Sequence, residues 1–155
     1  MTKLILLVED DENDVFLLTR ALKKAGIENS LQVADDGRQA LDYVEGCGRF
    51  SNRAEFPLPY LVLLDLKLPQ VKGLDVLKRI RELAGRSLIV VVLSASSNET
   101  DIAEAYRLGA NAYLCKPANF EGLVEMVRAI NDFWLKFNLS YGVNNSPAPT
   151  ADGAL

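Results

Sequence analysis

Five residues suited to phosphate chemistry are spread along this 155-residue chain, each directly after an apolar run. Glu9 and Asp10 follow KLILLV (3–8), and Asp65 follows YLVLL (60–64). Ser94 comes after LIVVVL (88–93), and Lys116 after NAYLC (111–115). Three carboxylates crowded together repel and raise one another's pKa unless a cation sits among them. Mg²⁺ suits such a place, being a hard ion satisfied by one or two carboxylates, a carbonyl and waters. The lysine could then hold a second anion, and the serine hydroxyl could donate to it. Carboxylates, metal, lysine and hydroxyl around one point equip a chain for phosphoryl transfer, where catalysis is mostly positioning and charge neutralisation. Singly, each residue has a plainer reading. Glu9-Asp10-Asp11 could satisfy a helix N-terminus, Asp65 could form a turn, Ser94 a cap, and Lys116 a surface charge. Their shared position at one end of successive strands favours the joint reading.

That position depends on the elements around them. An unbroken apolar run such as Tyr60–Leu64, preceded by Pro57 and Pro59, fits a strand buried on both faces of a parallel sheet. Open α/β sheets place their ligand sites outside the carboxyl ends of such strands. The strands read as 3–8, 30–34 (SLQVA), 60–64, 88–93 and 111–115. Helical spacing follows each one. It runs through Val15, Phe16, Leu18, Thr19, Leu22 and Ala25 up to Gly26, then through Ala40, Leu41 and Val44. Leu74, Leu77 and Ile80 precede Gly85; Ile102, Ala105 and Tyr106 precede Gly109; a last helix covers 120–137. The fold class is therefore α/β: a doubly wound five-stranded parallel sheet with five helices and right-handed crossovers. Residues 46–59 form a long irregular connection. Residues 1–137 read as one domain, and 138–155, rich in Asn, Ser, Pro and Gly, as a disordered tail.

Composition narrows the classes further. Net charge is −4 with scattered basic residues, which argues against a nucleic-acid surface. No apolar run approaches the ~18 to 20 residues that span a bilayer. The start of the chain lacks the features of a signal peptide, so the cytoplasm is the expected compartment. Cys47 and Cys115 have no metal-ligand spacing and read as free thiols. The chain has no histidine, which excludes a Ser-His-Asp triad, a histidine-liganded metal and a phosphohistidine on this chain.

LLVEDD, LLDLKLP, VVLSAS and AYLCKP together resemble, in order and spacing, the receiver domains of two-component response regulators, over about residues 3–135. The resemblance implies a flavodoxin-like, receiver-type fold. It implies that Asp65 is the phosphoacceptor, taking a phosphoryl group from a sensor histidine kinase. Asp10, Asp65 and the Lys67 backbone carbonyl would bind Mg²⁺, with Glu9 acting through water. Lys116 would pair with the phosphoryl group and Ser94 would bond one of its oxygens. Tyr113 would be an aromatic switch that moves inward when Ser94 is drawn to the phosphate; plain core packing is its other reading. The Lys116–Pro117 bond is expected to be cis. Such a protein would catalyse only its own phosphorylation and dephosphorylation.

The chain has no room for a separate output domain, and 46–59 is longer than the family's usual connection. Both features resemble the single-domain regulators that partner bacterial phytochromes. Two alternatives stand beside this. A haloacid-dehalogenase-type phosphatase would need a second Asp two positions after the nucleophile, where this chain has Lys67. A pseudo-receiver would bind partners without phosphorylation, against which the intact Asp10, Asp65, Ser94 and Lys116 weigh. The last helix raises one more expectation. Phe120, Leu123, Val124, Val127, Ile130 and Trp134 cover one face, and Met126, Phe133 and Phe137 widen the apolar arc beyond what a sheet alone covers. A homodimer through that helix is expected, unless Tyr141 and Val143 fold back over it.

Overall fold

The computed structural model describes residues 3–140. Five parallel strands form one sheet: β1 (Ile5–Val8), β2 (Leu31–Ala34), β3 (Leu61–Leu64), β4 (Ile89–Ser94) and β5 (Ala112–Cys115). Their spatial order is β2-β1-β3-β4-β5. Strands β1, β3 and β4 are buried along their whole length, which is why each reads as an unbroken apolar run. Edge strands β2 and β5 are only partly buried.

Helices α1 (Glu12–Lys24) and α5 (Phe120–Ile130) cover one face, where Leu18, Ala21, Leu22, Val124, Val127 and Ile130 meet the odd-numbered residues of β1, β3 and β4. Helices α2 (Gly37–Glu45), α3 (Gly73–Ala84) and α4 (Glu99–Arg107) cover the other, through residues such as Leu41, Val76, Leu77, Ile80 and Ala105. The period-2 pattern of each central strand thus serves two cores at once. The order reverses at β1, with β2 on one side of it and β3 on the other. This opens a crevice between the carboxyl ends of β1 and β3.

Several details differ from the sequence reading. Helix α1 begins at Glu12 because the Asp11 carboxylate accepts from the amides of Asn13 and Asp14 as its N-cap. The connection 46–59 is irregular yet packed. Phe50 is buried, packs at a tilt against Tyr43 and edge-on against Phe56, and belongs to a short 3₁₀ turn, Gly48–Phe50. The last helix is α-helical only to Ile130 and continues as a π-helical turn, Asn131–Phe137. Its wider i→i+5 geometry turns Leu135 into the core, while Phe133 (57%) and Phe137 (78%) remain exposed. Met126 packs against the core instead of extending the outer face. Tyr141 and Val143 lie outside the described residues. No helix among the described residues is long and apolar enough to cross a membrane.

Candidate functional site

Backbone bonds that extend the sheet beyond its strands place Glu9, Asp65 and Lys116. The Glu9 amide donates to the Ala34 carbonyl at 3.1 Å, the Asp65 amide to Val8 at 3.0 Å, and the Lys116 amide to Ser94 at 2.8 Å. Glu9, Asp65, Ser94 and Lys116 therefore meet at one edge, as their shared position after the strands predicts. Glycine is required at Gly73 for the same geometry. A β-carbon there would overlap the Asp65 carbonyl oxygen and crowd Leu66, so only glycine lets the α3 N-terminus approach this backbone.

Glu9, Asp10 and Asp65 each bring a carboxylate oxygen to within 4.8 Å of the others. Glu9 and Asp65 are buried and Asp10 is exposed. An all-oxygen set with one open side fits a hard divalent cation. The Lys116 ammonium lies 2.6 Å from Glu9 Oε2, 3.0 Å from Asp14 Oδ2 and 3.3 Å from Asp65 Oδ2. Burial pushes the Glu9 carboxyl up to about 7, against the pull of the Lys116 ammonium bonded to it. Burial works against the charged lysine too, but its bonds to Glu9 and Asp14 outweigh that and hold its pKa above the ordinary lysine value. The lysine is thus a fixed positive charge among carboxylates.

The remaining residues form a second tier. The Lys67 amide donates to Asp65 Oδ1 at 3.2 Å, so the residue whose carbonyl the family resemblance implicates also steadies the carboxylate. Ser94 is fully buried, and its Oγ accepts from the Ser96 amide at 3.2 Å. The Tyr113 hydroxyl donates to the Ser96 carbonyl at 2.8 Å, and the Ser96 hydroxyl donates to Asp101, in the first turn of α4, at 2.8 Å. Ser96 thereby joins the serine, the aromatic ring and a helix. The Lys116–Pro117 bond, expected to be cis, is trans. An X-Pro bond favours trans by about 0.5–1 kcal/mol, and the local sequence does not override that preference.

Asp14, Ser96 and Gly73 were missed in the sequence. Asp14 is one helical turn beyond Asp10, Ser96 two residues beyond Ser94, and Gly73 directly before the first apolar residue of its helix. Those offsets are the only signals they leave.

The family model described as "Response regulator receiver domain" matches residues 5–128. The chain belongs to the response regulator receiver family. This receiver is 41% identical over 143 residues to the "Probable methanogenesis regulatory protein FilR2" of Methanothrix harundinacea, covering 90% of this chain and 88% of that one. It is 40% identical over 135 residues to the response regulator Rcp1 of Synechocystis, covering 86% and 90%. Among solved structures, it resembles the response regulator RPA3017 in red light signaling of R. palustris, with a TM-score of 0.85 and 38% identity over 90% of this chain and 99% of that one. The phosphorylated cyanobacterial phytochrome response regulator RcpA gives 0.84 and 36%, over 92% and 100%. The Mn²⁺-bound form of Rcp1 gives 0.80 and 38%, over 90% and 99%. The receiver is thus homologous to phytochrome response regulators, and phosphorylation-dependent signalling fits its site.

Proposed function

We propose that this receiver accepts a phosphoryl group from a phosphohistidine of a sensor kinase onto Asp65. One observation carries the reading: three carboxylates within 4.8 Å of one another, with a lysine ammonium 3.3 Å from Asp65. A carboxylate oxygen of Asp65 attacks phosphorus, the P–N bond breaks, and the imidazole leaves with the bonding pair. Asp10, Asp65 and the Lys67 carbonyl would hold Mg²⁺, with Glu9 acting through water, and the ion would supply charge neutralisation at the phosphoryl oxygens. Lys116 exchanges its bonds to Asp65 and Glu9 for the phosphoryl group, and the Ser94 hydroxyl donates to a phosphoryl oxygen. Ser94 then draws on Ser96, and Tyr113, bonded to the same residue, shifts with it. The chain catalyses only its own phosphorylation and dephosphorylation.

Incubation with acetyl phosphate and Mg²⁺ tests this. The wild type gains one phosphoryl group and Asp65→Asn gains none; equal labelling contradicts the reading.

The partner we propose is a phytochrome-type histidine kinase in the cytoplasm, supported by the likeness to RPA3017, RcpA and Rcp1 over nearly their whole chains. Phosphotransfer from a phytochrome kinase should be faster than from an unrelated sensor kinase. We also propose that the receiver unit extends to about residue 137; most of the tail expected over 138–155 lies outside the described residues. The exposed Phe133 and Phe137 support a homodimer through the last helix. The net charge of −4 supports partners other than nucleic acid or membrane.

A further inference from the structure

An ammonium has three N–H donors, and Lys116 directs all three at carboxylates. Two of those carboxylates, Glu9 and Asp65, belong to the cluster fitted for a divalent ion. The third, Asp14, does not. It stands on the first turn of α1, 41% exposed, with its amide bonded to the Asp11 cap. Helix α1 is seated in the core by Leu18, Ala21 and Leu22, so the Asp14 carboxylate is mounted on a rigid element. Beside Lys116, Glu9 and Asp14, which help to line it, a cavity of about 360 Å³ opens toward Leu17 of α1 and Phe120 and Leu123 of α5. A four-carbon stem beside such a space has somewhere to swing once its partners turn elsewhere.

We propose that Asp14 is a positioning residue for phosphoryl transfer, holding the Lys116 ammonium at the site while Glu9 and Asp65 serve the cation and the incoming phosphoryl group. The proposal rests on the reading of Asp65 as phosphoacceptor. Asp14 forms no bond to phosphorus and exchanges no proton; it fixes the lysine by a single hydrogen bond.

Three variants and two readouts test it in the full-length protein. Asp14→Ala should slow Mg²⁺-dependent phosphorylation by acetyl phosphate about five- to tenfold, the scale of one charge-assisted hydrogen bond discounted for exposure. Asp14→Asn, which keeps an oxygen acceptor, should recover to within about twofold. Glu12→Ala removes the other acid of the same helical turn, which does not touch Lys116, and should match wild type. The second readout is the ¹⁵N signal of the Lys116 ammonium with Mg²⁺ alone and no phosphoryl donor. It should persist in wild type and Asp14→Asn and be lost by rapid exchange in Asp14→Ala. Unchanged or faster labelling of Asp14→Ala would overturn the proposal, as would Asp14→Asn behaving like Asp14→Ala. If the wild type itself is not labelled, the phosphoacceptor reading fails, and the ammonium signal still decides whether Asp14 holds the lysine.

Discussion

Lys116 and Arg53 are both partly buried cations with three hydrogen bonds each, at different places in the fold. Lys116 bonds only carboxylate side chains. Arg53 bonds only main-chain carbonyls, of Tyr43 at 2.7 Å, Val44 at 2.6 Å and Phe56 at 3.1 Å. The first two are last-turn carbonyls of α2, where the Gly46 amide reaches Tyr43 but not Val44. Arg53 cannot change partners without uncapping that helix, whereas the carboxylates around Lys116 can turn to another cation while the fold stays intact. The partners distinguish the cation proposed to switch from one that holds.

Exchanging the two residues for methionine puts the contrast at risk. Lys116→Met should lower the rate of phosphorylation by about a hundredfold or more, since it removes the charge that meets the phosphoryl group. Arg53→Met should leave that rate within about twofold while lowering stability by about 2–3 kcal/mol, because buried carbonyls lose charged donors. Acetyl phosphate labelling and urea unfolding of both variants give the four numbers. A large kinetic effect from Arg53→Met would break the contrast.

A smaller effect sharpens the switching side. Ser94→Ala should still be phosphorylated but lose much of the NMR response in α4 and β5, because the chain Ser94–Ser96–Tyr113 starts at the missing hydroxyl. Identical phosphorylation-induced shifts in mutant and wild type would remove Ser94 from that path.

The smallest effect belongs to the holding side. Burial pushes the Tyr43 phenol up to about 12, against the nearby Arg53 charge, and its hydroxyl donates to the Pro57 carbonyl at 2.9 Å. Because the folded pKa lies above the unfolded one, this stability is fully present below about pH 10 and is lost as pH rises toward 12. Tyr43→Phe should flatten that part of the stability profile in alkaline denaturation. An unchanged alkaline slope would show that another group titrates there.

The switching edge was far more legible in the sequence than the holding loop. A parallel sheet puts the residue after every strand at one rim, so apolar runs alone located Glu9, Asp65, Ser94 and Lys116. Strand β5 is only partly buried yet still read correctly, since its neighbours in the chain fix its direction. Asp14 was not legible, because its contact with Lys116 depends on how α1 lies across the sheet, 102 residues away in the chain. Arg53 sits in a stretch without periodicity, where nothing marks one arginine as a helix cap. The π-helical turn after Ile130 was hidden for a related reason: the apolar spacing of 120–137 fits a helix of either pitch until packing decides.

The central claim is that Asp65 itself carries the phosphoryl group, and one chemical trap tests it directly. Borohydride reduces an acyl phosphate to the alcohol, converting a phosphorylated aspartate to homoserine. Peptide mapping after Mg²⁺-dependent labelling and reduction should find homoserine at position 65 and at no other aspartate. Homoserine at position 10 or 14, or labelled protein with none at 65, would contradict the account.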